Sequence, residues 1–112
     1  MKHVALSERE LALIRGVLQR RPEVAAAILF GSRAKQSHQP ESDIDLALEG
    51  DLDAIGAESI AAELDELPLP YQFDVKACSE IRSAQLRDHI QRVGAVIYEK
   101  ETTRRRSSSS QA

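Results

Sequence analysis

Apolar and polar positions along the chain alternate between two periods, one helical and one extended. Leu11, Ile14 and Leu18, with Leu13 and Val17 beside them, recur at helical spacing. Ser7-Glu8-Arg9-Glu10 ahead of them reads as a capping box, with Ser7 at the N-cap and Glu10 returning to it, and Pro22 closes the helix. Val24 to Phe30 is a short apolar run stopped by Gly31, which predicts a buried strand. Gln36 to Ser42 is polar, carries Pro40 and reads as a loop. Asp43 to Glu49 alternates, with Ile44, Leu46 and Leu48 on one side, and predicts a second strand. Asp51 or Asp53 can cap the next helix, whose stripe is Leu52, Ile55, Ile60, Leu64 and Leu67, and the Leu-Pro-Leu-Pro run at 67–70 stops it. Tyr71 to Lys76 alternates again and predicts a third strand. Ser79 is placed as the cap of a last helix carrying Ile81, Leu86, Ile90 and Val93, with Gly94 at its C-terminal end and a short final strand from Ala95 to Tyr98. Helices alternating with strands make an α/β or α+β domain in two layers over residues 1–99, followed by a polar, basic tail at 100–112 without apolar periodicity, expected to be disordered.

Composition narrows the function classes. A chain of 112 residues is most simply one domain. No apolar run approaches the ~20 residues that cross a bilayer and no signal-peptide core is present, so a cytoplasmic protein is expected. The single cysteine, Cys78, allows no internal disulfide and no thiolate metal cage, and with no base beside it in sequence it reads as a small structural residue. A formal charge of −3 and only two Tyr, two Phe and no Trp argue against nucleic acid as a partner.

Against that background, acids inside an apolar strand need a reason. On a strand, residues i and i+2 face the same way about 6.6 Å apart, so Asp43 and Asp45 present paired carboxylates while Ile44 and Leu46 point inward. Two carboxylates that close repel, and a divalent cation relieves the repulsion; oxygen-only ligands suit Mg²⁺ or Mn²⁺, and the pair can bracket two ions about 3.5–4 Å apart. Glu49 shares the face but lies about 13 Å from Asp45, too far to join. Gly31-Ser32, after the first strand, opens a short helix to Lys35 whose exposed N–H groups and serine hydroxyl suit phosphate. Arg33 and Lys35 are equally placed for phosphate contact or plain surface charge. Asp74, on the polar side of a later strand, reaches the same cations if the two strands are neighbours, and can take a proton from an attacking hydroxyl. Lys76 shares that side and is expected to be solvated.

These residues resemble the minimal nucleotidyltransferases of the DNA polymerase beta-like superfamily: Gly31-Ser32, ten residues, Asp43-Ile44-Asp45, then Asp74 in the Gln-Phe-Asp-Val segment. Leu29-Phe30, Arg33-Ala34, Ser42 and the ending from His89-Ile90 through Gly94 to Ile97-Tyr98 match as well, while Gln36 stands where many members carry a second glycine. The resemblance implies a small mixed, twisted sheet with helices packed mainly on one face, ATP as substrate, two Mg²⁺ ions on Asp43, Asp45 and Asp74, and Gly31 and Ser32 on the nucleotide; Arg33 is expected there for its charge, a contact on which the resemblance is silent. It also implies an antitoxin that moves AMP onto a tyrosine of a helical HEPN-domain toxin encoded nearby. A chain that ends soon after its catalytic core needs the acceptor presented by a partner or a second copy. Two other readings stay open at this point: an antitoxin that neutralises its partner by contact alone, and a small-molecule nucleotidyltransferase of the antibiotic-modifying kind.

Overall fold

The computed structural model describes residues 6–30 and 44–100. Gly31, Ser32, Arg33, Lys35, the loop through Ser42, Asp43 and the tail from residue 101 lie outside the described residues.

Helix α1 (Glu8–Gln19) opens with the expected capping box: Ser7 Oγ accepts the Glu10 N–H at 3.1 Å and Glu10 Oε1 accepts the Ser7 N–H at 2.9 Å. Strand β1 (Val24–Phe30) and strand β2 (Ile44–Gly50) follow the apolar run and the alternating run. Gly50 ends β2 at φ +141°, where a side chain is strained, and a Cβ there would collide with the Glu23 carbonyl that accepts the Asp51 N–H at 3.0 Å. Helix α2 (Ala54–Asp65) is capped by Asp53, not Asp51; Asp53 Oδ1 accepts the Gly56 N–H at 2.9 Å. Its buried stripe is Ala57, Ile60 and Leu64. Ile55, expected in that stripe, is 77% exposed, because at about 3.6 residues per turn it falls on the side of the helix opposite Leu64.

Strand β3 (Phe73–Ala77) starts two residues later than the alternation suggests. Tyr71 instead packs against the core and donates its hydroxyl to Glu10 Oε2 at 2.7 Å. The last helix, α3 (Ala84–Val93), is capped by Ser83, whose Oγ accepts the Leu86 N–H at 3.2 Å. Ser79, predicted to hold that place, sits in a 3₁₀ turn (Cys78–Glu80) and donates its hydroxyl to the Leu52 carbonyl at 3.0 Å. Ile81 is extended and buried ahead of α3, not part of it. Gly94 ends α3 without a left-handed turn; its need for glycine is a close approach, since a Cβ would lie 2.6 Å from Ile28 Cγ2. Strand β4 (Ala95–Glu99) completes the sheet. Lys100, assigned by sequence to the tail, donates its N–H to the Ala25 carbonyl and its Nζ to the Pro22 carbonyl, each at 2.8 Å.

The four strands lie in the order β3-β2-β1-β4, with β1 antiparallel to β2 and β4, and β2 parallel to β3. On one face α1 and α2 bury Ile14, Leu18, Ile60 and Leu64 against Leu29, Ile44, Leu46 and Leu48. The reverse face carries a smaller cluster, Phe30, Ala47, Ile81 and Ile90, under α3. Among the described residues the reverse face therefore has less helical cover, and strand alternation puts Asp45 and Asp74 on it.

An ion network ties the end of α1 to α2. Arg21 donates to Glu63 through both Nη2 (2.6 Å) and Nε (2.9 Å), and Arg20 reaches Glu63 Oε2 at 3.1 Å. The hydrogen bonds from Arg21, then Arg20, hold the Glu63 carboxyl below its ordinary value of 4.5. A depressed carboxyl contributes stability above its unfolded value, and that contribution is lost as pH falls through the folded one. Glu63→Gln should therefore cost roughly 0.5–1 kcal/mol at pH 7, with the difference from the parent shrinking as denaturation is followed to progressively lower pH below 4.5.

Candidate active site

The parallel pairing of β2 with β3 sets Ile44 beside Phe73, Asp45 beside Asp74 and Leu46 beside Val75. Neighbouring strands are about 4.8 Å apart, so two aspartates in register carry their carboxylates on the same face at nearly the closest spacing a sheet allows. The local sequence enforces this. Ile44 and Leu46 on one strand, and Phe73 and Val75 on the other, all belong to the main core or pack against it, so the residues between them turn to the opposite face. A slip of one residue in either strand would bury an aspartate and expose an isoleucine or a valine.

Asp45 is half-buried and Asp74 is exposed. On its other side Asp45 pairs with Phe30, the last residue of β1. Gly31 is the next residue in the chain after Phe30, and Asp43 immediately precedes Ile44, so the sequence attaches both of these predicted site residues directly to the strand ends that frame Asp45. The predicted set thus divides in two: Asp45 and Asp74 are brought together, while Asp43, Gly31, Ser32 and Arg33 lie outside the described residues. Among the described residues no group of three or more acids, histidines or cysteines is gathered to hold a metal ion. The pair Asp45–Asp74 nonetheless offers hard oxygen donors only, the set that Mg²⁺ and Mn²⁺ prefer.

Lys76 was expected to be solvated. Its side chain is 42% exposed, and its Nζ also lies 3.6 Å from Asp74 Oδ1, whose side chain is 51% exposed. The sequence signal was present, because i and i+2 share a strand face, but spacing does not distinguish a lysine that reaches its neighbour from one that extends into water. Glu49, on the same face at the far end of β2, is exposed and beyond reach, as the strand rise requires. Cys78 is half-buried, and burial, then the charge of Glu49, pushes its thiol up from its ordinary value; it is protonated at neutral pH and unsuited to attack.

No helix of the described chain is long and apolar enough to cross a membrane. The family model for polymerase beta nucleotidyltransferases matches residues 13–103. A curated relative from Haemophilus influenzae, named Probable protein adenylyltransferase MntA, is 32% identical over 100 residues, covering 88% of this chain and 87% of the relative. Among solved structures, a chain in the complex of tri-AMPylated Shewanella oneidensis HEPN toxin with MNT antitoxin is similar in fold, with TM-score 0.65 and 21% identity over 87% of this chain and 76% of that one. A chain of a toxin–antitoxin complex with AMP-PNP is similar as well, with TM-score 0.67 and 22% identity over 87% and 77% of the two chains.

Proposed function

Because this chain belongs to the polymerase beta nucleotidyltransferase family, we propose that it transfers AMP from ATP to a hydroxyl on a partner protein. In this reading the acceptor is a tyrosine of a HEPN-type toxin and the chain is its antitoxin. The relative named as a protein adenylyltransferase and the fold shared with a chain of the AMPylated-toxin complex support it. The observation that carries it is the register of Asp45 with Asp74 on one face of adjacent parallel strands.

The chemistry follows from charge placement. The acceptor oxygen attacks the α-phosphorus of ATP in line, the bond from that phosphorus to the bridging oxygen breaks, and pyrophosphate departs. Asp43, Asp45 and Asp74 would hold two Mg²⁺ ions, which when bound neutralise phosphate charge and make the acceptor hydroxyl more acidic. Asp74, the more exposed acid, faces the side from which an acceptor approaches and takes the hydroxyl proton directly or through water. Gly31 and Ser32 would receive the β- and γ-phosphates on backbone N–H groups, with Arg33 adding charge.

Incubation with radiolabelled ATP, magnesium and the protein encoded next to this one should place label on that neighbour. An Asp43→Asn/Asp45→Asn double variant should abolish it. Undiminished labelling by the double variant would rule the mechanism out. Unlabelled but fully neutralised neighbour, with the same double variant and without ATP, would instead establish an antitoxin acting by contact.

A further inference from the structure

The outer edge of β3 forms the floor of a groove of about 370 Å³. Its walls are the start of α2, at Ala54, Ala57 and Glu58, and the segment leading into α3, at Ile81, Arg82 and Leu86. Backbone directions on β3 follow from the ladder. The Ile44 N–H donates to the Gln72 carbonyl at 2.8 Å, so in this parallel pair residues 72, 74 and 76 turn their backbone groups toward β2. Residues 73, 75 and 77 turn theirs outward. The Phe73 N–H bears this out, since it donates outward to Asp65 Oδ1 at 3.2 Å. That cap closes the edge at Phe73. The Ala77 carbonyl opens the 3₁₀ turn Cys78–Glu80 and is taken by it, so the Val75 N–H and C=O and the Ala77 N–H remain, and among the described residues no partner meets these three outward groups.

An unpaired strand edge at the bottom of a slot selects its occupant by backbone chemistry. A helix satisfies its own backbone and a small molecule rarely offers donors and acceptors at strand spacing, whereas an extended peptide offers both. Alternate side chains of such a peptide would rest against Ala54 and Ala57 on one side and against Ile81 and Leu86 on the other. Because Asp65 blocks pairing at Phe73, a segment paired along Val75–Ala77 must leave the edge beside Asp74. We infer that this groove takes, by strand addition, an extended segment of the acceptor protein, and that the residue leaving the edge at Asp74 presents the hydroxyl to the acids. The inference rests on the transfer reading above and supplies what that reading lacks, a place for the acceptor.

Binding tests it without turnover. The probe is the peptide acetyl-Val-Thr-Val-Tyr-Gly-amide, compared with the same peptide N-methylated at its second Val, and read by amide chemical shifts of the full chain. The Val75 and Ala77 amides should shift and exchange more slowly with the first peptide at concentrations near ~1 mM, with at least tenfold weaker binding of the second. Ala77→Pro removes one outward N–H at a residue whose φ of −80° proline accepts, leaves the bonds to β2 intact, and should weaken binding about tenfold with an unchanged circular dichroism spectrum. No shift at Val75 or Ala77, equal binding of both peptides, or shifts at these amides that depend on protein concentration alone (pairing of two copies) would overturn the inference. Label transfer to the neighbouring protein that persists alongside any of those results leaves the transfer reading standing and sinks only the groove. Peptide binding without any transfer does the reverse.

Discussion

Asp74→Asn is expected to slow adenylyl transfer about a thousandfold, roughly 4 kcal/mol of transition-state stabilisation, while leaving nucleotide affinity within about threefold. The two aspartates are not equivalent. Asp45 lies between Phe30 and Asp74, half-buried, on the strand that the Asp43 segment feeds, and in the proposed mechanism it serves the nucleotide side. Asp74 is on the outer strand, half exposed, with Lys76 as its near neighbour, and in the proposed mechanism it serves the acceptor side. Asparagine keeps the shape and removes the charge, and at a half-exposed position its effect on folding stays within about 0.5 kcal/mol. Single-turnover transfer of labelled AMP and equilibrium dialysis of a non-hydrolysable ATP analogue separate the two effects. The Asp45→Asn variant should lose both. Nucleotide affinity that falls in step with transfer in Asp74→Asn would move Asp74 to the nucleotide side.

Leu46→Ala should destabilise the domain by about 3–4 kcal/mol, a large share of the ~5–15 kcal/mol that holds a domain of this size. Leu46 is wholly buried, with Leu29 opposite it on β1 and Val75 opposite it on β3, so neither neighbouring strand can close over the vacated space without breaking its ladder. Urea denaturation should show a lower midpoint with an unchanged slope, and the thermal midpoint should drop by roughly 15 °C or more. Because Leu46 also sets which way Asp45 points, transfer by the folded fraction of this variant should fall as well.

Much of this was legible before any coordinates. Ser7 and Glu10 specify their cap with side chains three residues apart, and Val24–Phe30 is continuous enough to leave one interpretation. Asp45 stood out because an acid inside an apolar alternation conflicts with burial unless something offsets its charge, and Asp43, singled out on the same ground, lies outside the described residues. The errors came where a local cue had a non-local competitor. Ser79 has the chemistry of a helix cap, but its hydroxyl is taken by the Leu52 carbonyl and the cap passes to Ser83. Ile55 has the hydrophobicity of a core residue, yet Ala57, a poorer candidate by size, faces the sheet in its place. The register of Asp45 with Asp74 could only be written as a condition, that the two strands be neighbours, because a parallel pair joined through a helix leaves no mark on either strand. The groove along β3 was illegible for the same reason: its floor and walls come from three segments that touch only when folded.

The far margin of the sheet differs from the β3 side. There the Arg15 guanidinium, reaching over from α1, takes the Ile97 carbonyl at 2.6 Å, and the β4 register shifts between Ala27 and Ile28. A head-to-tail array of copies would set the β3 edge of one against the β4 edge of the next, and there the pairing would meet a carbonyl already taken at Ile97 and a strand of irregular register. The molecule can thus keep a receptive strand in water at little risk of stacking into fibres.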